Sequence, residues 1–227
     1  MKPLISVIVP VFNGEKYLAE AIESVLVQDG FNFDIIVVDD GSTDHTPKIA
    51  EKFKSLLRYH YQTNSGAGAA RNQGVSMARG DFFAFLDADD LWTFDKIELQ
   101  WLAFQEHPDL DMVFGHIQQF YSPDLTQSEK DRINIPAEVM PGYHIGAMLI
   151  RKNSFFRVGL FKEELKIGDT IDWHARSTEL KLKSVMLPDV LMKRRIHKNN
   201  LGISQRDQRI GYIHALKSAL DRRRNKE

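Results

Sequence analysis

Apolar runs and amphipathic segments alternate along the first part of the chain. The β-branched run at residues 4–9 predicts a central parallel strand, which Pro10 ends. Apolar residues at helical spacing from Tyr17 to Leu26 predict a helix that Gly30 closes. By the same criteria we expect strands at 34–38, 59–61 and 81–86, and helices at 47–53 and 69–78. Strands that alternate with helices predict an α/β fold, with a Rossmann-like, mostly parallel sheet flanked by helices.

The pattern becomes less regular in the second part of the chain. Residues 121–140 are polar and contain two prolines, which predicts a flexible loop or lid. By periodicity we expect helices at 95–105 and 210–224, and strands at 112–115, 144–150 and 185–188.

Three carboxylates within four residues follow the strand predicted at 81–86. Crowding negative charge at a strand end is costly unless something positive lies there. Asp87 and Asp89 are separated by one residue, and carboxylate oxygens of this kind suit Mg²⁺ or Mn²⁺, which bind phosphate in turn. The alternative is N-capping of the next helix, for which Asp90 is the best candidate, while Trp92 is expected to pack.

A second acidic pair follows the strand predicted at 34–38. Asp39 and Asp40 precede a Gly-Ser turn, where a backbone can approach a ligand closely. A buried carboxylate here would accept hydrogen bonds from a base or a ribose hydroxyl, and an Asx-turn is the equal alternative. Because ligands of parallel sheets bind at the carboxyl ends of the strands, the two acidic segments together favour one ligand site.

Two basic candidates accompany the carboxylates. Residues 66–72 partly match a dinucleotide-binding glycine pattern but lack its third glycine, so a glycine loop that enters a helix is the better interpretation. Arg71 in this segment would pair either with a phosphate or with Asp87. His197 lies in a basic turn, where a ligand role and a structural role are equally supported.

Composition narrows the possible classes. The 227 residues carry 30 Lys and Arg against 31 Asp and Glu, so no basic field points to nucleic acid. The absence of cysteine excludes disulfides and thiol nucleophiles. No apolar run is long enough to cross a bilayer, and we expect a cytoplasmic protein with at most a weak peripheral contact to the inner face of the membrane. Such a contact would use Arg222, Arg223, Arg224 and Lys226, which otherwise form a solvated helix end.

Four ordered segments resemble the family 2 glycosyltransferases. They are VIVPVFNGEKYLAEAIESVLVQ (residues 7–28), VVDDGSTDHT (37–46), NSGAGAARNQG (64–74) and FLDADDLW (85–92). The resemblance is tight from Ile5 to Trp92 and continues loosely to Asn200. It implies one domain of glycosyltransferase A type over 1–227. Residues 1–92 would bind the nucleotide sugar, 93–205 the acceptor, and 206–227 would form a C-terminal helix.

The resemblance also implies a donor site. The residues implied for the nucleotide pocket are Pro10, Phe12, Asn13, Asp39, Asp40, Gly66, Ala69, Arg71 and Asn72. Asp87 and Asp89 match the DxD motif, which holds Mn²⁺ or Mg²⁺ against the donor diphosphate, with Ala88 between them also at the donor. Arg195 and His197 match a basic RxH element, which implies contacts to the diphosphate for the arginine and to the metal for the histidine.

The catalytic base is less well matched. Relatives carry a Glu-Asp pair in a segment resembling GEDLDW, whereas this chain has GDTIDW at residues 168–173. Asp169, expected at the head of a helix, is favoured over Asp172 as the carboxylate that takes the proton from the acceptor hydroxyl. A carboxylate at a helix N-terminus is a weaker base, which weighs against even this choice.

The expected function is metal-dependent, inverting transfer of a sugar from a nucleotide-diphosphate sugar to a sugar, lipid-linked or other hydroxyl acceptor. Cell-surface polysaccharide or glycan biosynthesis is the expected setting. The first alternative is a catalytically degenerate protein that binds nucleotide sugar without transferring it. The second is a phosphotransferase with Asp87 as nucleophile, which is disfavoured because such enzymes carry the motif on their first strand.

Overall fold

The computed structural model describes residues 2–133, 135, 139–198, 200, 217–218, 220–222 and 224. The strands are β1 (Leu4–Val11), β2 (Asn32–Asp39), β3 (Leu57–Tyr61), β4 (Phe82–Phe85), β5 (Leu91–Trp92), β6 (Met112–Tyr121), β7 (Met140–Pro141), β8 (Leu149–Arg151) and β9 (Ser184–Ile196). The helices are α1 (Leu18–Leu26), α2 (Thr46–Glu51), α3 (Ala67–Met77), α4 (Lys96–Glu106), α5 (Gln127–Arg132), α6 (Lys152–Val158) and α7 (Asp169–Glu179).

The described strands form one sheet, in the order β3-β2-β1-β4-β8-β6-β9-β5, with β7 paired to β6. The first four strands are parallel, whereas β8 runs antiparallel to both of its neighbours. β1 lies inside this parallel block, as its apolar run predicts, and it continues through Pro10 to Val11. The α/β class and the Rossmann-like sheet with flanking helices are therefore confirmed.

Both faces of the sheet are covered, because successive side chains of a strand point to opposite faces. On one face, Val7 of β1 packs in a cluster that includes Ile22 of α1 and Phe104 of α4. On the other face, Ile8 packs in a cluster that includes Phe155 of α6. This two-sided burial explains the continuous apolar character of β1.

Three expectations for the second part of the chain are corrected. The predicted loop at 121–140 contains α5, which begins at a capping box between Thr126 and Glu129, a T-x-x-E pattern readable in the sequence. The strand predicted at 144–150 is a 3-10 turn at Ile145–Ala147 followed by β8. The strand predicted at 185–188 is β9, which is much longer and pairs with β6 along most of its length.

The described residues between 217 and 224 are helical, in agreement with the expected terminal helix, whose other residues lie outside the described part of the chain. Arg222 donates to Asp172 at 2.8 Å and to Glu179 at 2.9 Å, so this segment is bound to α7. That pairing removes Arg222 from the basic group suggested for membrane contact. The division of the domain at residues 92 and 205 stays a prediction.

Candidate active site

The two acidic segments lie on either side of β1 at the carboxyl edge of the parallel block. Asp39 is the last residue of β2, and Asp87 comes two residues after β4 ends. Both strands pair in parallel with β1. This arrangement confirms the expectation that the two segments share one edge of the sheet.

The Asp39-Asp40 pair is buried and fully bonded. Asp39 accepts the backbone N–H of Ser42 at 2.7 Å and the hydroxyl of Tyr59 at 2.6 Å, which supports the Asx-turn interpretation. Asp40 accepts the backbone N–H groups of Ser65 and Gly66, at 2.8 and 2.7 Å. The two carboxylates therefore hold the turn after β2 and the glycine loop in place.

The segment after β1 is tied to the same turn. Asn13 has a positive φ of 53°, donates its backbone N–H to Ser42 Oγ at 2.8 Å and accepts the N–H of Thr43 at 2.8 Å. Pro10 is buried in β1, whereas Phe12 remains 54% exposed. Asn13 is also exposed, but its side-chain oxygen already accepts a hydrogen bond, so the Phe12 ring is the open apolar surface after β1.

The first turn of α3 carries the glycine loop against the second part of the chain. Ala69 is buried in this turn. A Cβ at Gly68 would lie 3.4 Å from Asp169 Oδ2, so the absent side chain lets α3 approach α7 closely. Asn72, expected at the nucleotide, instead bonds the backbone N–H and carbonyl of Phe161, both at 2.9 Å. Asn72 therefore fixes the loop before α7.

Arg71 joins two carboxylates that are far apart in the sequence. Its guanidinium is buried and donates to Asp87 Oδ1 at 2.7 Å and to Asp169 Oδ2 at 2.8 Å. Burial alone would raise the pKa of Asp87, but the charge of Arg71, with smaller contributions from His144 and then Arg194, outweighs it and lowers that pKa. The sequence left two partners open for Arg71, a phosphate or Asp87, and in the structure Arg71 bonds Asp87.

A compact group of possible metal ligands consists of Asp87, Asp90 and His144, whose donor atoms lie within 4.8 Å of one another. It differs from the set inferred from the sequence, which was Asp87, Asp89 and His197. Asp90 is buried and accepts the backbone N–H of Arg195 at 2.8 Å, so it bonds to β9 and is not the helix cap expected for it.

His144 is a site residue that the sequence patterns did not identify. Its Nδ1 accepts the N–H of Gly146 at 3.1 Å, and burial lowers the pKa of the ring. A neutral His144 therefore carries its proton on Nε2 and can donate a hydrogen bond to an anion at the cluster. Its position in a segment predicted as a strand gave no signal for this role.

Asp89 and His197, both expected at the metal, lie close together. His197 Nε2 is 2.8 Å from Asp89 Oδ2, and the side-chain amide of Asn200 donates to the same oxygen at 3.2 Å. The structure therefore brings Asp89 and His197 into contact with each other.

The structure gives Arg195 a place different from the one implied by the RxH pattern. Its guanidinium is buried, donates to Glu20 at 2.5 Å and to the Asp89 carbonyl at 3.0 Å, and lies 4.7 Å from two aromatic rings. Because side chains alternate along β9, Arg194 projects from the opposite face. The charge of Arg194 also contributes to the lowered pKa of Asp87, so Arg194 is the candidate on β9 for a basic contact near the DxD carboxylates.

The two candidate bases have different environments at the start of α7. Asp169 is the first residue of the helix, follows Gly168 in the left-handed conformation and bonds Arg71. Asp172 is fully buried and pairs with Arg176 and Arg222, each at 2.8 Å. Asp172 therefore has a structural role, and Asp169 stays the candidate base.

A family model, glycosyl transferase family 2, matches residues 6–165, which is more than half of the chain. The chain belongs to glycosyltransferase family 2. This confirms the resemblance inferred from the four motifs and the class of enzyme, a glycosyltransferase.

Relatives and solved structures agree with this assignment. An uncharacterized glycosyltransferase of Rickettsia typhi is 36% identical over 207 residues, 86% of this chain and 64% of the relative. TuaG of Bacillus subtilis, named for teichuronic acid biosynthesis, is 43% identical over 103 residues, 44% of this chain and 41% of TuaG. TarS 1–349 of S. aureus is 27% identical with a TM-score of 0.69, over 86% of this chain and 60% of that one.

Another solved structure shows the same fold. The mannosyltransferase PcManGT of Pyrobaculum calidifontis, in complex with GDP-Man and Mn²⁺, is 20% identical with a TM-score of 0.70 over 97% of this chain and 65% of that one. This chain therefore spans about two thirds or less of each of these proteins. None of its helices, within the described residues, has the length and apolar character needed to span a bilayer.

The metal implied by the fold suits the carboxylates of the DxD segment. Asp87, Asp89 and Asp90 place three carboxylates in one short segment, and oxygen ligands are those that Mg²⁺ and Mn²⁺ prefer. The side chains of Asp87 and Asp89 keep 27% and 30% of their surface exposed, so both remain accessible to a cation. Burial and the charges of Asp89 and Asp87 hold the pKa of Asp90 well above its ordinary value, as expected for crowded carboxylates.

Proposed function

We propose that the chain is a metal-dependent, inverting glycosyltransferase that moves a sugar from a nucleotide-diphosphate sugar to an acceptor hydroxyl. The observation that carries this proposal is the pair of ion pairs made by Arg71, at 2.7 Å to Asp87 and 2.8 Å to Asp169. It places a DxD carboxylate and the candidate base on either side of one guanidinium. An inverting transfer needs these two groups at one reaction centre, with the leaving diphosphate on one side and the acceptor on the other.

The nucleotide side of the site would be the concave edge next to β1 and β2. Asp39 and Asp40 hold the turn and the glycine loop in place, and Phe12 presents an exposed ring to the base. Solved structures of TarS contain UDP or UDP-GlcNAc, and PcManGT contains GDP-Man, which supports a nucleotide-sugar donor for this chain.

Asp87 and Asp89 would hold the divalent cation, with His197 fixing the Asp89 carboxylate at 2.8 Å. A cation bound there would supply positive charge to the leaving diphosphate. The chain itself adds Arg194, which we propose in place of Arg195 as the cation of β9 that contacts the diphosphate. His144 would donate a hydrogen bond from its Nε2–H to the diphosphate.

Asp169 would take the proton of the attacking hydroxyl. Its carboxylate is held by Arg71 at 2.8 Å and begins α7, so both its position and its orientation are fixed before an acceptor arrives. The name of TuaG, which refers to teichuronic acid biosynthesis, supports a setting in polysaccharide biosynthesis.

Donor binding is tested by thermal unfolding with UDP, GDP, UDP-GlcNAc and GDP-Man, each with and without Mn²⁺. A ligand at about 100 times its Kd stabilises the native state by about 2.7 kcal/mol. For a domain of this size that raises Tm by about 5–10 °C. The Mn²⁺-dependent part of the shift is expected to disappear in Asp89→Asn and to persist in the control Asp109→Asn, which removes an exposed carboxylate.

Turnover is tested by the release of nucleotide from the bound donor. Release by the wild type that is lost in Asp169→Asn, with the Mn²⁺-dependent Tm shift unchanged, supports the assigned base. If the wild type shows the Mn²⁺-dependent Tm shift but releases no nucleotide with any of a panel of acceptors, the protein is a degenerate nucleotide-sugar-binding protein. A panel with no metal-dependent shift would refute the donor site.

A further inference from the structure

A fully buried lysine lies in the core, outside the groups proposed for donor binding and proton transfer. Lys96 is the first residue of α4 and has no exposed surface. Burial lowers its pKa well below the ordinary value, and no charged group among the described residues offsets this shift. An amine buried without a carboxylate partner is costly, so its contribution has to come from the hydrogen bonds that it makes.

The contacts of Lys96 lead to the backbone around the 3-10 turn. Its Nζ donates to Gln100 Oε1 at 2.6 Å and to the Met148 carbonyl at 3.4 Å. The same nitrogen lies 4.4 Å from the centroid of the Trp92 ring. Gln100 is also fully buried and donates from Nε2 to the Ala147 carbonyl at 2.9 Å. Lys96 and Gln100 therefore bond two neighbouring carbonyls of the turn.

Trp92 bonds the carbonyl immediately before these two. Its indole Nε1 donates to the Gly146 carbonyl at 3.1 Å, and the residue is buried. The three consecutive carbonyls of residues 146–148 therefore each accept a hydrogen bond from a buried side chain of residues 92–100. We name these three side chains the carbonyl clamp, which consists of Trp92, Lys96 and Gln100.

The clamped segment also holds the ring of His144. The backbone N–H of Gly146 donates to His144 Nδ1 at 3.1 Å, and that of Ala147 donates to the His144 carbonyl at 3.0 Å. A Cβ at Gly146 would lie 2.8 Å from the sulfur of Met192 and 3.3 Å from His144 Nδ1, so this peptide is closely packed between the two. The clamp therefore bonds the peptide groups that fix the position of His144.

We propose that Trp92, Lys96 and Gln100 are positioning residues for the donor site and act through His144. By fixing the 3-10 turn they would hold the Nε2–H of His144 towards the diphosphate before a donor arrives. A donor group that is already ordered binds its ligand more tightly, because less conformational freedom is lost on binding. This inference rests on the proposed transferase function, since the diphosphate is the ligand that His144 would contact.

The first test is amide hydrogen exchange of the full chain without ligand, followed by NMR. Lys96→Met removes the amine and keeps most of the volume, and Trp92→Phe removes the indole N–H and keeps a ring. In both variants the amides of residues 146–148 should exchange about tenfold faster relative to those of β1, because the turn has lost one of its bonds. Taking β1 as the reference removes the effect of a change in global stability.

The matched control is Phe104→Leu, which alters another buried side chain of α4. The ring of Phe104 packs edge-on against Phe82 and lies 4.9 Å from the guanidinium of Arg151. This variant should lower the Tm through lost packing, while the exchange of residues 146–148 relative to β1 stays as in the wild type.

The second test is a double-mutant cycle on nucleotide binding, measured by calorimetry with Mn²⁺ and whichever of UDP and GDP gives the larger Tm shift. His144→Ala and Lys96→Met should each raise Kd about tenfold, and the double variant should bind as His144→Ala does. A merely structural contribution of Lys96 would instead raise Kd by the same factor in both backgrounds. If Lys96→Met does not fold, Trp92→Phe takes its place in the cycle.

Two results would overturn the proposal while the donor site stands. One is an additive cycle with a wild type that binds nucleotide. The other is exchange of residues 146–148, relative to β1, that is unchanged in Lys96→Met and Trp92→Phe or equally faster in Phe104→Leu. If the wild type binds neither UDP nor GDP with Mn²⁺, the transferase function fails and this inference fails with it.

Discussion

Replacing Asp172 by Asn is expected to destabilise the fold while leaving the candidate base in place. Asp172 is fully buried, pairs with Arg176 and Arg222 at 2.8 Å and lies 3.4 Å from Lys162. Removing one partner of a buried ion pair costs about 3–5 kcal/mol, because the remaining charge is left uncompensated. Arg222 keeps its bond to Glu179, so we expect a loss near the lower limit, about 3 kcal/mol.

The loss is measured by urea and thermal unfolding at pH 7. About 3 kcal/mol corresponds to a Tm lower by about 6–12 °C for a domain of this size. The control is Asp109→Asn, since Asp109 and Lys183 form an exposed surface pair that contributes about 0–1 kcal/mol. Below its Tm, Asp172→Asn should still turn over donor, whereas Asp169→Asn should not.

The pH dependence gives a second check on Asp172. Burial would raise its pKa, but hydrogen bonds from Arg176 and Arg222 outweigh burial and hold the pKa below its ordinary value of 3.8. A carboxylate with a lowered folded-state pKa stabilises the fold above its unfolded-state pKa and loses that contribution as the pH falls through the folded-state value. The stability difference between wild type and Asp172→Asn should therefore be constant near neutrality and shrink below about pH 4. The reasoning would be refuted if Asp172→Asn were as stable as Asp109→Asn. It would also be refuted if the stability difference between wild type and Asp172→Asn did not shrink in acid.

Three further predictions follow from single contacts. Tyr59→Phe removes the hydroxyl that Asp39 accepts at 2.6 Å, and urea unfolding should show a loss of about 1.5–3 kcal/mol; equal stability would count against that bond. Gly74→Ala places a Cβ 2.5 Å from a core methyl of β1. We therefore expect the free energy of unfolding to fall by about 1–3 kcal/mol and the Tm to fall with it, although alanine favours helix. A higher Tm would contradict this packing. Arg194→Ala should weaken Mn²⁺-dependent nucleotide binding about tenfold at unchanged Tm, whereas Arg195→Ala should lower the Tm through its lost ion pair; the reverse pattern would restore Arg195 as the ligand.

The sequence predicts the parts of the site that depend on neighbours along the chain. The ends of β2 and β4 follow from apolar runs that stop at carboxylates, so Asp39 and Asp87 were expected at one edge of the sheet. His144 was not, because its place depends on how the chain returns after β7, which no local pattern encodes. The missed α5 is different, because its capping box at Thr126 was readable but was outweighed by the polar, proline-containing context.

The glycine loop shows why a partial motif can be informative about structure and misleading about ligand. A dinucleotide fingerprint uses glycines to let a phosphate approach the backbone. Here Gly66 donates its N–H to Asp40 at 2.7 Å, and the bare Cα of Gly68 gives room to Asp169. Arg71 follows one turn later and reaches that same aspartate. The small residues therefore serve close contact between α3 and α7, and this contact joins the first part of the chain to the candidate base.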